Sequence, residues 1–509
     1  ASKISLEWAT MNSQLVVDSN TTGFRDNVYA VAGYFSTSVD VQLLNGTIDI
    51  VGLYTNTGGS SGGSVTLNAK EVTIAGTVRS QGAVSVTGGA DGVIIKEGAY
   101  IASEGGQAVS IATANGSDIV MGAGSTVKTT GNVAITSDTG NISLSRIVSA
   151  DPSLDYDGNS LVTTSGGVTV STAGKITDGE SRSVASVETA NIETLGSISL
   201  TAGGGIGTTS DSFVIKSNTI NSLVSGSGNI SVDLQKLSGS NITINEISAH
   251  DVDLSAKTAI VIGSSSSSAG MTVSGDLAIA LESGTLTQNA AIASAGTVTL
   301  DMAADTILEN TANNFNVVAI DSSANVLIND VNAITVSGDV SQGLTVSAGT
   351  TMTLGDIDIG ANLAISSSGG AITGGETITV TGTSVLGTGT GHNISLTGNN
   401  DFSDTVTLSG GGITTLNDVN SLKIAGTNAS ALSLDVGGAV AVGAITVGTS
   451  GQAADLSVKT IAGISDVTGA ITIYGASNLS AGQDADGITK IQSGTANIAL
   501  SINGDLATG

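Results

Sequence analysis

The sequence predicts an all-β protein built as a parallel β-solenoid, with about three short strands in each coil. The first observation is a recurring triplet of one apolar, one small and one apolar residue, at residues 84–86, 109–111 and 133–135. The copies start 25 and 24 residues apart, and a Gly-rich turn precedes each. A coil with one apolar face cannot bury that face alone, so the coils are expected to stack on a continuous core.

Further strand-like segments fall between the triplets and complete each coil. Residues 93–95 and 100–102 follow the first triplet, and residues 118–121 and 126–128 follow the second. In each segment apolar residues alternate with small or hydroxyl residues, so that every second side chain points inward.

Composition agrees with stacked strands. Hydrophobic residues form 40% of the 509 residues but aromatic residues only 2%, so Val, Ile, Leu and Ala must fill a narrow core. With 70 Gly and one Pro, turns depend on Gly, Asn, Asp and Ser, and nearly every strand N–H remains able to pair. Recurrent apolar triplets and a charged fraction of only 11% argue against a disordered chain.

The charge balance and the absence of cysteine exclude several classes of function. The net charge of −28 disfavours binding to nucleic acid or to an anionic membrane. Without cysteine there is neither a disulfide framework nor a thiolate zinc site. No apolar run reaches the roughly 18 residues of a transmembrane helix.

Residues 1–58 differ from the rest and are interpreted as an N-terminal cap or docking segment. A solenoid needs its terminal coil covered, and bulky aromatic side chains suit that purpose. Half of the twelve aromatic residues lie in this segment: Trp8, Phe24, Tyr29, Tyr34, Phe35 and Tyr54.

Residues 59–509 are predicted to form the solenoid rod itself. The only proline, Pro152, interrupts the spacing and indicates a loop inserted near residues 150–162. The last segment looks like an uncapped coil, which predicts either a longer native chain or a partner at that end. Trp8, Phe24, Tyr34 and Phe35 are therefore predicted to mediate assembly, with Ile498, Leu500, Ile502 and Leu506 as their counterpart.

Residues 174–179, 196–207 and 225–232, which are rich in Gly, Ser, Thr and Ile, resemble the repeats of bacterial surface proteins of the filamentous-haemagglutinin type. The resemblance extends in style over residues 65–509. It implies a right-handed parallel β-helix, export across a Gram-negative envelope and a role in adhesion, biofilm or surface layers. The Asn-Pro signatures of that family's secretion domain are missing, because residues 1–58 contain no proline.

Enzymatic chemistry has little support. Carbohydrate-active β-helices need clustered carboxylates, commonly with basic residues and aromatic platforms. Beyond residue 58 the six aromatic residues are scattered, and His250 and His392 are 142 residues apart. Asp251 and Asp253 would share one face of a strand and remain an acid/base alternative.

Calcium is the better chemical candidate, although an ordinary turn explains the same residues. Asp151, Asp155, Asp157 and Asn159 place oxygen ligands close together beside a glycine, as hard cations prefer. The segment lacks the glutamate at the twelfth position of an EF-hand.

The sequence thus predicts a non-enzymatic extracellular rod that associates with itself into a surface filament, sheath or layer. The first alternative is an adhesin stalk that binds glycans or proteins of host or neighbouring cells, and the second is a carbohydrate-active enzyme. No cofactor is expected, apart from calcium at the site just described.

Overall fold

The structure is a computed structural model. It describes residues 38–55, 63–149, 165–180, 189–237, 239, 241–266, 268–322, 324–466 and 470–480. Before residue 38 and after residue 480 it describes only the backbone of short strands. The described chain is all-β and forms a parallel β-solenoid of about 18 turns without a helix, which confirms the predicted fold class. Accordingly, no described segment is a helix long and apolar enough to cross a membrane.

Two compact units divide the chain, Ala1–Gly275 and Asp276–Gly509. The strands of the first unit are β1 (Lys3–Ser5), β2 (Ala9–Met11), β3 (Leu15–Asp18), β4 (Asn27–Phe35), β5 (Val39–Thr55), β6 (Val65–Ser80), β7 (Val84–Ile95), β8 (Tyr100–Ser103), β9 (Val109–Thr113), β10 (Ile119–Met121), β11 (Thr126–Thr129), β12 (Val133–Ser137), β13 (Ile142–Leu144), β14 (Arg146–Ser149), β15 (Val168–Thr172), β16 (Ile176–Asp178), β17 (Ile192–Thr194), β18 (Ile198–Ala202), β19 (Phe213–Ser217), β20 (Thr219–Ser225), β21 (Ile230–Gln235), β22 (Asn241–Ile244), β23 (Glu246–Ala249), β24 (Val252–Ala256), β25 (Ala259–Ile262) and β26 (Gly270–Val273).

The strands of the second unit are β27 (Leu277–Leu281), β28 (Leu286–Gln288), β29 (Ile292–Met302), β30 (Thr306–Leu308), β31 (Asn314–Ser322), β32 (Val326–Asp330), β33 (Ile334–Val340), β34 (Leu344–Ala348), β35 (Met352–Ile359), β36 (Leu363–Ser367), β37 (Ile372–Gly374), β38 (Ile378–Val380), β39 (Ser384–Thr388), β40 (Ile394–Leu396), β41 (Asp401–Phe402), β42 (Thr405–Gly410), β43 (Thr414–Asp418), β44 (Leu422–Asn428), β45 (Leu432–Val436), β46 (Val440–Val447), β47 (Leu456–Thr460), β48 (Ile464–Asp466), β49 (Ile471–Ile473), β50 (Ser477–Ser480), β51 (Ile491–Ser493), β52 (Leu500–Ile502) and β53 (Leu506–Thr508).

The predicted triplets of the first unit form a single buried row. Val84 pairs in parallel register with Val109, Val109 with Val133, and Val133 with Val168. All four side chains are at most 1% exposed. Since burying a Val or Ile side chain contributes about 1.5–3 kcal/mol, each coil is stabilised chiefly by the coils next to it.

In the second unit a comparable buried row includes polar residues among the apolar ones. One row runs from Thr306 through Val326, Leu344 and Leu363 to Ser384, each residue in register with the next. The hydroxyl oxygens of Thr306 and Ser384 are buried and make no hydrogen bond with the described residues. A buried hydroxyl without a partner costs free energy, so these two residues weaken the row.

Valine at position 306 is expected to raise the unfolding free energy by about 1 kcal/mol, because Thr306→Val removes an unpaired buried hydroxyl at nearly constant shape. Thr414 is the matched control, since it is equally buried but donates a 2.7 Å hydrogen bond to Oδ1 of Asn428. Thr414→Val is expected to lower the unfolding free energy by about 1–2 kcal/mol. The midpoints of urea unfolding of the two variants should therefore shift in opposite directions from that of the wild type. Equal shifts would contradict the assignment of Thr306 as an unpaired hydroxyl.

Two long strands of the second unit change register at a glycine. β33 pairs with β35 as Val336 with Leu354, but then as Gly338 with Ile357. β44 and β46 repeat the same shift, and Gly426 takes the place of Gly338. The φ angles of Gly338 and Gly426 are 113° and 105°, which side chains rarely adopt. Opposite each glycine the partner strand, β35 or β46, carries one extra residue, which is a β-bulge.

Candidate functional site

The predicted site residues lie almost entirely outside the part of the chain that the structure describes. Asp151, Asp155, Asp157 and Asn159 belong to residues 150–164, which are not among the described residues. The calcium site therefore stays a prediction.

The side chains of the predicted assembly residues also lie outside the described part of the chain. Trp8, Phe24 and Ile498 are not described, whereas Tyr34, Phe35, Leu500, Ile502 and Leu506 lie on strands whose backbone alone is described. Tyr34 and Phe35 end β4, where they pair with Tyr54 and Thr55 of β5. β52 and β53 continue the parallel ladder. The role of these residues in assembly stays a prediction.

An outward row of carboxylates is the most distinctive surface feature of the second unit. Asp301 pairs in register with Asp321, Asp321 with Asp339, and Asp339 with Asp358. All four residues are exposed. We name Asp301, Asp321, Asp339 and Asp358 the aspartate column. Neighbouring strands of a sheet are about 4.8 Å apart, so the column places four like charges at the closest spacing that a parallel sheet allows.

A shallow depression of about 390 Å³ lies on this column. Its lining is acidic, hydroxylic or small: Asp321, Ser322, Asp339, Val340, Ser341, Asp358 and Gly360. Within the described residues, no group of three or more His, Cys, Asp or Glu side chains could hold a metal ion. The column thus presents its charge to the solvent.

Basic residues are missing from the same stretch of sequence. Residues 276–422 contain fourteen Asp or Glu and no Lys or Arg. A carbohydrate-active site would be expected to combine carboxylates with basic and aromatic side chains. The lining of the depression contains carboxylates but neither a basic nor an aromatic side chain.

The acid/base alternative at residues 250–253 does not form a pair on one strand. Asp253 lies on β24 and accepts a 3.2 Å hydrogen bond from Ser231, whereas Asp251 precedes the strand. His250 is exposed at a bend, and its Nδ1 lies 3.1 Å from Oγ of Ser274.

Two clusters of buried amide and carboxylate groups, which the sequence analysis missed, recur in the second unit. The first clamp consists of Asn313, Phe315, Asp330 and Asn332. The carboxylate of Asp330 accepts hydrogen bonds from the backbone N–H of Phe315 at 2.7 Å and of Asn332 at 2.9 Å. Asn313 is fully buried and donates to the carbonyl oxygens of Leu308 and Asn329. The first clamp therefore ties successive coils together through polar groups at the edge of the core.

The second clamp has the same design and consists of Asn400, Phe402, Asp418 and Asn420. Asp418 accepts from the backbone N–H of Phe402 at 2.9 Å and of Asn420 at 2.8 Å. Asn400 donates to the carbonyl oxygens of Leu396 and Asn417. Phe315 and Phe402 are each 1% exposed, so each clamp holds a large core side chain in place.

The sequence contained a signal for these clamps. The tetrapeptide Asn-Asp-Val-Asn occurs at residues 329–332 and again at 417–420, 88 residues later. The clamp asparagines Asn313 and Asn400 and the clamp phenylalanines are 87 residues apart. The bulge glycines Gly338 and Gly426 are also 88 residues apart. The chain therefore contains a long internal repeat above the level of the single coil.

The clamp carboxylates give an expected pH dependence. Burial raises the pKa of Asp330, although the hydrogen bonds from Phe315 and Asn332 oppose it. Burial likewise raises the pKa of Asp418, where the N–H donors of Phe402 and Asn420 oppose it. A carboxyl with a raised folded pKa stabilises the fold most below its ordinary value of 3.8, and this contribution disappears as the pH rises through the folded value.

The unfolding free energy of the wild type is therefore expected to rise, relative to that of the double variant D330N/D418N, as the pH falls from 7 towards 4. The asparagines do not titrate, so the comparison removes the effect of all other carboxylates. Urea titrations over this range measure the difference. A difference that is constant with pH, or that shrinks on acidification, would contradict the assignment.

Comparison with known proteins gave one family match. Residues 249–322 and 341–409 match a family model described as repeats of unknown function (DUF5649). Phe315 lies in the first matched segment and Phe402 in the second, in each case seven residues before the segment ends. The comparisons found no match among curated proteins and none among solved structures. The matched repeats and the coils together show a repeat protein of the β-helix kind.

Proposed function

We propose that this chain is an extracellular structural protein of a Gram-negative bacterium, which associates with itself into a surface filament, sheath or layer. We also propose that the chain is related to surface proteins of the filamentous-haemagglutinin type. The observation that carries it is the in-register parallel ladder, in which a strand such as β12 pairs with β9 on one side and β15 on the other. Such a ladder provides stiffness without any dedicated site.

The outer surface supports the proposal. Outward residues on neighbouring strands are short and polar, as with Thr353, whose Oγ1 lies 3.3 Å from that of Thr373. Short side chains leave a sheet face that another copy can approach closely. Exposed strands and sheet faces are a common route by which β-proteins associate.

The aspartate column would control that association. Two unit charges 4 Å apart repel by about 1 kcal/mol even in water, so two copies that meet along their columns repel strongly. Divalent cations such as calcium prefer carboxylate oxygens and would bridge the two columns. We therefore expect calcium to act between copies, with residues 151–159 as a second candidate site.

Sedimentation velocity of the purified chain, with calcium and then with chelator, tests the proposal. Larger species are expected with calcium and their loss with chelator. A variant with Asn at Asp301, Asp321, Asp339 and Asp358 should lose this calcium response. The matched control removes four other exposed carboxylates of the same unit, through Glu282→Gln, Glu309→Gln, Asp356→Asn and Glu376→Gln, and should keep the response.

A single small species under every condition would overturn the proposal in favour of the adhesin stalk. Association without calcium dependence would retain the structural role but remove calcium from it. Equal loss of response in the column variant and the control would show that total charge, and not the column, governs association.

A further inference from the structure

The two clamps differ in the contacts of the buried asparagine. Oδ1 of Asn313 accepts from the backbone N–H of Ile292 at 2.9 Å and from the side chain of Gln288, whereas Oδ1 of Asn400 has neither contact. In the first clamp the amide of Gln288 and the amide of Asn313 exchange two hydrogen bonds. Nε2 of Gln288 donates to Oδ1 of Asn313, and Nδ2 of Asn313 donates to Oε1 of Gln288, both at 2.8 Å. Nε2 of Gln288 also donates to the carbonyl oxygen of Ala290 at 2.7 Å. The glutamine amide therefore supplies two donor contacts and one acceptor.

In the second clamp a glycine takes the place of that glutamine. Residues 372–378 correspond to residues 286–292, so Gly374 stands where Gln288 stands in the first clamp. Both segments pair with the strand that precedes their clamp asparagine, as Leu286 with Thr306 and Ile372 with Ile394. By the same correspondence, the carbonyl of Glu376 replaces that of Ala290.

The consequence is an unpaired oxygen in the core. Asn400 is fully buried, and its Nδ2 makes the same two hydrogen bonds as that of Asn313. Its Oδ1, however, is buried and makes no hydrogen bond with the described residues. Leaving such an acceptor unpaired costs about 1–3 kcal/mol, so a donor is required at this position.

We infer that the second clamp binds a single buried water molecule at the position of the Gln288 amide. The two O–H groups of a water match the two donor contacts of that amide and would reach Oδ1 of Asn400 and the carbonyl oxygen of Glu376. Both hydrogens of Nδ2 already point to the carbonyl oxygens of Leu396 and Asn417, so the oxygen of the water would share one of them, as Oε1 of Gln288 shares those of Asn313. Buried waters typically make about three hydrogen bonds to groups that otherwise have no partner.

The surroundings of Gly374 are close-packed. A Cβ atom on Gly374 would lie 3.1 Å from Cδ2 of Leu396, 3.2 Å from Cδ1 of Ile378 and 3.4 Å from the carbonyl oxygen of Leu354. The walls are thus the flexible ends of two apolar side chains together with one further acceptor. The two apolar side-chain ends offer the water no partner, so its polar contacts must come from the clamp or from the carbonyl oxygen of Leu354.

A crystal structure of the full chain, at a resolution that shows ordered waters, tests the inference directly. One water is expected about 2.8 Å from Oδ1 of Asn400, within the usual range of a hydrogen bond. A protein N–H at that oxygen, or no density within about 3.2 Å of it, would overturn the inference.

The reciprocal exchange of residues provides a second test. Gly374→Gln is expected to restore the amide pair, displace the water and raise the urea midpoint. Gln288→Gly should lower the midpoint, although Oδ1 of Asn313 keeps the N–H of Ile292 as a donor. Gly375→Gln is the matched control, because a Cβ on Gly375 meets nothing within 4 Å, and it should change neither the water nor the midpoint. A Gly374→Gln structure that keeps the water beside Asn400 would show that the water does not occupy the glutamine position. If the Gly374→Gln variant does not fold, the electron density beside Asn400 in the wild-type crystal still tests the inference.

Discussion

Alanine at Gly338 or at Gly426 is expected to lower the unfolding free energy by about 3 kcal/mol or more. Both glycines have positive φ angles, which strain any side chain. A Cβ would also lie 2.0 Å from the carbonyl oxygen of Ile320 in the first case and 2.2 Å from that of Leu408 in the second. Backbone atoms of a neighbouring coil cannot yield as side-chain ends can, so the ladder itself must shift.

The matched control is Gly375→Ala, since Gly375 is exposed and lies in open space. Urea titration of the three variants measures the loss, and hydrogen exchange shows whether it is confined to the coils around each bulge. If Gly338→Ala were as stable as Gly375→Ala, the bulge geometry at this position would be wrong.

Loss of a clamp carboxylate is expected to have the second-largest effect. Asp330→Ala leaves the backbone N–H groups of Phe315 and Asn332 without their acceptor, and Asp418→Ala does the same to Phe402 and Asn420. The buried N–H of the phenylalanine accounts for about 1–3 kcal/mol, and the N–H of the exposed asparagine adds less, so we expect each variant to lose about 2–4 kcal/mol at neutral pH. The amides of Phe315 and Phe402 should lose their protection from hydrogen exchange in the respective variants.

Asp339→Ala provides the control for this prediction. Asp339 is an aspartate of the same unit on a neighbouring coil, but it is exposed on the aspartate column. Its removal is expected to change the unfolding free energy by less than about 0.5 kcal/mol. Equal losses in Asp330→Ala and Asp339→Ala would indicate that the clamp carboxylates contribute through charge alone.

The coil pattern was predictable because it rests on local alternation. The triplets at residues 84–86, 109–111 and 133–135 stand in register with one another, as the spacing predicted. Alternation settles which side chains point inward along a strand, and a repeated spacing settles that the strands stack. Both kinds of information are present in a single sequence.

The clamps were not predicted because a buried aspartate and a turn aspartate look alike in sequence. Asp330 and Asp418 are the last residues of β32 and β43, and each precedes a valine that is about half exposed, as a residue next to a turn would. Their burial depends on where the corner of the coil falls against the neighbouring coil that carries the phenylalanine. Only the recurrence of Asn-Asp-Val-Asn after 88 residues pointed to a shared structural requirement.

The aspartate column was missed for a similar reason. Asp301, Asp321, Asp339 and Asp358 are 18 to 20 residues apart, within coils of unequal length. Their alignment depends on the register of four strands that neighbour one another in the ladder, β29, β31, β33 and β35, and on the register shift at Gly338. A one-residue change of register would turn a carboxylate from the surface into the core.

We propose that the chain acts as a structural subunit through its ladder and surface rather than through a catalytic site. Negative-stain electron microscopy of the purified full chain, with calcium and then with chelator, tests this proposal. Ordered filaments or sheets are expected with calcium and should disperse after chelation. Isolated particles under both conditions would contradict the proposal.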